Sequence, residues 1–583
     1  MNKFVQYVFC FLAITMLTGT ISSCKGKKKA GSKGTVVFRE SADADMLNPI
    51  NLNSSSGRVV ADFIFGNLID LDREKLTYTP SIAKAEPIST EITEGEFKGG
   101  MRIEFDIYDE ATWDDGKPVT VHDYIFSLKA VLNPKTNCEN LKPYFEWVGD
   151  VIVDSSNLKK VVVLSKEKYF AVAEAATGYV LPEHLYDKDL IMRKFTLREL
   201  NDKSKKADLK GNADIIKFAD DFNSEKYQRD PAFVNGCWAY KLESWTTGQE
   251  LILKRKKDWW GDKVKGNSFL VAYPDKIVFK VIPDNNTAHT ALKDGKIDAF
   301  EAIDAKRFKE LEANPDVVSK YTLKRYPLLT YSYCGFNLRK DNFKDVRVRK
   351  AIAMCIDRDK INQVMSYGER EKATSFMHPS IKGQFNENIK QVEFNPEAAI
   401  KLLNEAGWKD TDGDGFVDKN GKKFVIDFKI PSGSDVGKQT CLMIKENFNK
   451  IGIEMNLTEK EFSVYLQDLH KFDFEMSMGA WTINPTTADP KQIWHTASAV
   501  EGGSNYVGFG NAKTDKLIDD MRAELNTEKR NGMLRELQQI IADEQPVVYL
   551  FYPVNRMAVS KKFDVKFSMK DPGFHLNEFK PVE

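Results

Sequence analysis

Four carboxylates in one short loop come nearest to a ready-made chemical site. Asp410, Asp412, Asp414 and Asp418 occupy the first, third, fifth and ninth positions of a calcium-loop pattern, and Gly415 supplies its sixth-position glycine. Position twelve, where such a loop needs a bidentate acid, is Gly421. A cation held there would bind weakly, and the same Asp/Gly-rich run also suits a hairpin turn. Other reactive residues are dispersed. The seven His stand singly, and neither HExxH nor GxSxG occurs, which speaks against zinc-protease and serine-hydrolase chemistry. Beyond Cys24 come Cys138, Cys237, Cys334, Cys355 and Cys441, an odd number without a CxxC pair, so neither a disulfide framework nor a zinc knuckle is signalled. Glycoside cleavage would need two cleft acids about 5 to 10 Å apart. The prominent acids instead occupy positions expected at helix caps and turns, so a secreted hydrolase is the weaker alternative and no enzymatic activity is expected.

Lys plus Arg and Asp plus Glu both total 85, which removes the long-range attraction that a general phosphate-backbone binder needs. Nucleic acid is therefore not an expected partner. At 583 residues the chain exceeds what one core usually organises, so two or more lobes are expected. Lys3 precedes an apolar stretch, Val5 to Leu17, that is short for a membrane span and reads as a secretory signal. Ile21-Ser22-Ser23-Cys24 then resembles the lipobox of bacterial lipoproteins. That resemblance implies lipidation of Cys24 as the mature N-terminus and anchorage in a bilayer, with the Lys, Gly and Ser run that follows as a flexible tether.

The elements that must position any site alternate between strand and helix. Ile103, Phe105 and Ile107 share one face of a strand over Arg102 to Tyr108; Asp115-Gly116 turns the chain, and Thr120 with Asp123 forms a capping box for a helix ending before Pro134. Thr196 to Tyr227 is densely charged, either a surface insertion or the solvated face of helices. Ile277, Phe279 and Val281, a helix stopping at Gly295, and Ile297-Asp298 read as strand, crossover helix, strand. The clearest helix has Asn395 as N-cap, Pro396 at its first position, Ala399, Ile400, Leu402, Leu403 and Ala406 inward, and Gly407 as its stop. Further helices are predicted over 346–356, 438–450, 514–525 and 533–543, and strands over 424–430, 453–458 and 547–551.

Trp113-Asp114-Asp115-Gly116-Lys117-Pro118-Val119-Thr120 with Asp123, Phe126 and Ser127 opens an ordered series of motifs. It continues through Gly236 to Trp245, Leu251 to Trp260, Gly295 to Asp298, Phe336-Asn337, Phe343 to Ile352, Asp357-Arg358 and Asn395 to Trp408. The series resembles the family 5 extracellular solute-binding proteins, the class of oligopeptide, dipeptide and nickel receptors that serve ABC importers. The resemblance implies an α/β, two-lobed periplasmic-binding-protein type II fold with an extra α+β domain inserted in the first lobe. Expected divisions are a signal peptide over 1–23, a tether over 24–35, first-lobe parts over 36–75, 216–290 and 553–583, the inserted domain over 76–215, and the second lobe over 291–552. It further implies a monomer without cofactor, held at the periplasm or cell surface, that passes a peptide or other small polar solute to an ABC permease in the inner membrane. A receptor for a non-peptide solute such as an oligosaccharide, or a sensor, is the alternative.

Gly479-Ala480-Trp481-Thr482-Ile483-Asn484-Pro485, with Asp489 beyond, resembles the family's cleft loop. In peptide receptors of the family an Asp three residues after this Trp pairs with the ligand's α-ammonium; here Asn484 stands there. Loss of one partner from a buried ion pair costs about 3 to 5 kcal/mol. Either Asp489 takes the amine, or the ligand lacks one, or Asn484 is simply a turn residue. The ligand-binding candidates are Trp481, Thr482, Asn484 and Asp489, with Asn337, Met46 and Asn48 flanking the cleft, where packing is the competing role. At Gly236-Cys237-Trp238 the Trp replaces a family glycine, which predicts a rebuilt turn.

Overall fold

The computed structural model describes residues 34–582 apart from 53, 139, 140, 487 and 571. The expected signal peptide, Cys24 and most of the tether lie outside the described residues. Within them, no helix is long and apolar enough to cross a membrane.

Two sheets organise the chain. The first has seven strands in the order Tyr321–Pro327, Val554–Ser560, Ala299–Phe300, Thr35–Glu40, Lys276–Val281, Glu250–Arg255 and Tyr240–Thr246. Thr35–Glu40 lies parallel to both Lys276–Val281 and Ala299–Phe300, and the connecting helix Asn285–Lys293 begins where Asp284 Oδ1 accepts the Thr287 N–H at 2.8 Å. The order strand, crossover helix, strand is the one read from the sequence, but the second strand is Ala299–Phe300 and not Ile297-Asp298. Because Tyr321–Pro327 pairs along its whole length with Val554–Ser560, the first lobe extends through Pro327, and the boundary expected at 291 falls too early.

The second sheet runs Glu454–Lys460, Val425–Pro431, Met476–Thr482, Thr330–Phe336, Val547–Tyr549. One face packs on helices Val346–Ala353, Pro396–Glu405 and Asp435–Lys450, the other on Ala512–Ala523 and Thr527–Glu544. In Pro396–Glu405 every predicted end device is present: Asn395 Oδ1 accepts the Ala398 N–H at 3.0 Å, and Gly407 takes φ +89°. Ala399 and Leu403 are buried, but Ile400, expected inward, is exposed.

A four-stranded antiparallel sheet (Ile88–Glu91, Met101–Asp106, Lys160–Ser165, Val148–Ile152) and helix Val121–Leu132 form the inserted part. Its apolar side chains are continuous with the core of the first sheet. The predicted end near 215 falls inside helix Ala213–Phe222, whose Phe218 and Phe222 edge onto Phe126 at 5.9 and 6.4 Å. Four short helices thus make up most of the charged stretch, with Ile215, Phe218, Phe222 and Tyr227 buried, and the solvated-helix reading holds over a loose insertion.

The chain crosses between the two sheets at 328–329 and again at 553, where Leu328 N donates to Pro553 O at 2.8 Å. Beside this hinge Glu369 of the second lobe accepts from Arg556 (Nε, 2.8 Å) and Arg325 (Nε, 3.1 Å), both on the first sheet. At Gly236–Trp238, Trp238 packs against Trp259 and Trp260, and its N–H donates to Ile64 O at 3.0 Å. Gly236 stays because a Cβ there would meet Ile64 O at 2.1 Å. Gly236→Ala is accordingly expected to destabilise the first lobe by about 1 to 3 kcal/mol in a urea titration, whereas an unchanged midpoint would mean that the backbone yields there at no cost.

Candidate functional site

Strand Met476–Thr482 carries Trp481 to the sheet's end, opposite Tyr331. The indole stacks on Tyr506 with ring centroids 6.0 Å apart and planes 18° from parallel. Trp481, Tyr331, Tyr333, Trp494, Tyr506 and Val507 line a recess whose free central volume, about 10 Å³, admits about one water. Two buried polar atoms in this wall, Tyr331 Oη and Trp494 Nε1, have no hydrogen-bond partner among the described residues. Thr482 follows, exposed, at the strand end opposite Thr330.

The next loop meets the inserted domain across the space between the lobes. Asn484 Oδ1 accepts from Thr486 N (3.0 Å) and Thr486 Oγ1 (2.8 Å), so Asn484 is a turn-former, one of the alternatives its position left open. From the other side the Tyr78 hydroxyl faces Thr486 and Asn484. Asp489 is not the free acid that the sequence suggested. Its Oδ1 accepts the Lys491 N–H at 3.0 Å, its Oδ2 accepts Arg522 Nε at 2.9 Å, and the Tyr169 hydroxyl faces the same carboxylate. With both oxygens committed, taking a ligand amine would mean breaking a mostly buried pair.

Tyr169 belongs to a short stretch of the inserted domain that forms most of this seam. Phe170 N donates to Arg522 O at 2.9 Å; Arg522 lies over the Tyr169 ring at 4.5 Å and Arg530 over the Phe170 ring at 4.4 Å. Tyr144 Oη donates to Gln492 Oε1 at 3.4 Å farther along. Glu174, on helix Val172–Ala175, is the odd member: its Oε2 is buried with no hydrogen-bond partner among the described residues. Burial raises its carboxyl to about 7, against the opposing pull of the Arg530 charge. None of Tyr78, Tyr144, Tyr169, Glu174, Arg522 or Arg530 was picked out from sequence.

The three flanking candidates are engaged with the protein's own interior. Asn337 is fully buried and its Nδ2 donates to the carbonyls of Phe472 (3.0 Å) and Phe474 (2.9 Å). Asn48 is likewise buried, its Oδ1 accepting the Ile50 N–H at 3.1 Å, and Met46 packs on the first core. In the acidic loop the oxygens of Asp410, Asp412 and Asp414 come within 4.8 Å of one another, all exposed. Their lone pairs mainly close the turn: Asp410 accepts from Gly413 N and Gly415 N, and Asp418 Oδ2 accepts from Thr411 N and Oγ1. The hairpin Asp418–Lys419 with Lys422–Lys423 continues from it, in keeping with the turn alternative. The five cysteines beyond Cys24 are buried, with no disulfide among the described residues, and burial pushes the Cys237 and Cys355 thiols up to about 12, which makes them poor nucleophiles.

The profile of the bacterial extracellular solute-binding proteins, family 5 (middle region), matches residues 78–503. The oligopeptide-binding protein AppA of Bacillus subtilis (strain 168) is 27% identical over 572 residues, 94% of this chain and 93% of the relative. Its structure in complex with a nonapeptide superposes with a TM-score of 0.72 at 25% identity, covering 94% of this chain and 99% of that one. In fold alone, NikA from Brucella suis, solved in complex with Fe(III)-EDTA, matches with a TM-score of 0.75 at 17% identity, over 94% and 100% of the two chains. The architecture is thus the two-lobed type II fold expected.

If Asn337 is a packing residue, Asn337→Ala and Asn337→Asp should both destabilise the second lobe by about 1 to 3 kcal/mol in denaturant, because neither can donate to the two buried carbonyls. Wild-type stability in either variant would contradict the assignment.

Proposed function

The chain belongs to the family 5 bacterial extracellular solute-binding proteins, and from that premise we propose that it is the receptor of an ABC importer, capturing a peptide or peptide-like solute between its lobes and releasing it unaltered to a permease in the inner membrane. Lipidated Cys24 holds it to a membrane facing the periplasm or the cell exterior. The observation that carries this reading is the seam: the inserted domain and second lobe meet at the loop after Trp481, where Phe170 N donates to Arg522 O and Tyr78 and Tyr169 face Asn484 and Asp489. A solute closes such lobes only by the amount it binds the closed state better than the open one.

The chemistry of the walls suits a peptide. Trp481 and Tyr506 offer a flat apolar platform, and Tyr331 Oη and Trp494 Nε1 stand ready for a polar-tipped side chain. A micromolar receptor needs only about 8 kcal/mol net, and each main-chain hydrogen bond to an extended peptide contributes roughly 1 kcal/mol. Backbone recognition thereby supplies much of the affinity without reading sequence. A second reading, a non-peptide polar solute, is favoured by Asn484 standing where peptide receptors of the family place an acid.

Calorimetry with pools of short peptides tests the function. Wild-type protein is expected to bind and return peptides of unchanged mass; Trp481→Ala should lower affinity at least tenfold, the loss of one large aromatic contact. Absence of binding, or recovery of cleaved peptides, would refute the proposal. Tyr169→Phe, which removes only the hydroxyl that faces Asp489, should weaken binding a few-fold by making closure less favourable, the loss of one hydrogen-bonding group being about 1 kcal/mol. Unchanged affinity in that variant would place the closing contacts elsewhere.

A further inference from the structure

The seam buries several charged groups, and all but one have an evident partner. Asp489 has Arg522, Tyr169 and the Lys491 N–H; Arg530 donates from Nη1 to the carbonyls of Glu524 (3.0 Å) and Leu525 (3.3 Å) and from Nη2 to Thr527 Oγ1 (3.3 Å). The exception is Glu174 Oε2, which has neither water contact nor a hydrogen-bond partner among the described residues. Its charge is felt by Tyr78, Tyr169 and Arg530, which places it at the same junction that holds Asn484 and Thr486. A buried carboxylate oxygen left without a donor is costly, and the cost is removed by a donor that carries positive charge.

We propose that Glu174 of the inserted domain, rather than an acid of the second-lobe loop, receives the cationic end of the captured solute, so that this receptor selects solutes bearing a free ammonium group. The inference rests on the solute-capture reading and names the class of solute for it. The physical logic joins affinity to closure. Opening the seam returns Glu174 to water, where the carboxylate is content without a partner; closing it removes the water, and an ammonium group hydrogen-bonded to Oε2 restores what was lost. A solute with a positive end therefore favours the closed arrangement, and one with that end capped does so less. Asn484, committed to its turn with Thr486, leaves this task to the facing lobe.

The arrangement also sets a pH dependence. Desolvation holds the Glu174 carboxyl near 7, with Arg530 pulling it down. The other groups facing it are Tyr78 and Tyr169, both raised by burial, with Asp70, raised to about 6, behind Tyr78. An ammonium ligand requires the ionised carboxylate, so below about 7 binding must release a proton, and affinity falls as pH falls. Asp70 also titrates in this range, which is why the Glu174 variant rather than pH alone decides.

The probes are tri-alanine and N-acetyl-tri-alanine, titrated calorimetrically into wild-type and Glu174→Gln protein between pH 6.0 and 7.5. Wild type is expected to bind the free-amine peptide roughly tenfold more tightly at pH 7.5 than at pH 6.0, with proton release, and the acetylated peptide more weakly and without that slope. Glu174→Gln should lose at least tenfold for the free-amine peptide at pH 7.5 and flatten its pH profile, leaving the acetylated peptide unaffected. Its melting temperature at pH 7.5 should equal or exceed that of wild type, since an unpartnered buried carboxylate is replaced by a neutral amide. Equal binding of both peptides by wild type and variant would overturn the inference alone. A variant that melts lower yet binds normally would also overturn it, making Glu174 structural, whereas failure of every peptide to bind wild type would overturn the capture reading and this inference with it.

Discussion

Closing two lobes on one another takes charged groups out of water, and each must find a partner at the moment of closure. That constraint governs the seam between the inserted domain and the second lobe. Arg522 and Asp489, 2.9 Å apart, form a pair within the second lobe, and the facing Tyr169 covers the guanidinium with its ring. Pre-pairing on one lobe keeps the cost of burial low, because neither charge is stranded when the lobes part. Glu174 breaks this pattern, and its isolation makes the seam sensitive to what lies within it.

The remainder of the architecture serves that closure. The chain passes between the two sheets at 328–329 and 553, a connection narrow enough to act as a hinge. Glu369, bonded to both Arg325 and Arg556 beside the crossings, limits the directions in which that motion can go. The inserted domain shares the first lobe's core and so moves with it, carrying Tyr78, Tyr169 and Glu174 toward the loop that follows Trp481.

Elements whose ends are decided locally could be read from sequence. Asn395, Pro396 and Gly407 each favour the same helix boundary, and the alternation of Ile103 and Phe105 places one strand face in the core; in both cases neighbours in sequence are neighbours in space. Family 5 likeness gave the two-lobed plan. What escaped were features fixed by distant partners. The first lobe's reach to Pro327 depends on pairing with Val554–Ser560, more than two hundred residues on. Ala299–Phe300 is too short to carry a periodicity. Asp489 read as a free acid because its partner, Arg522, is 33 positions away, and Glu174 read as one more charge on a short helix because burial of its oxygen is a property of the assembled seam.

The account stands on the seam being made when solute is held and unmade when it is not. Hydrogen exchange at the Phe170 amide reports this directly, since its N–H donates across the lobes to Arg522 O while the strands of each sheet bond internally. Adding a binding peptide should slow exchange at Phe170 and its seam neighbours while leaving the strands Met101–Asp106 and Thr330–Phe336 unchanged. Exchange at Phe170 that is indifferent to peptide, under conditions where calorimetry registers binding, would contradict it.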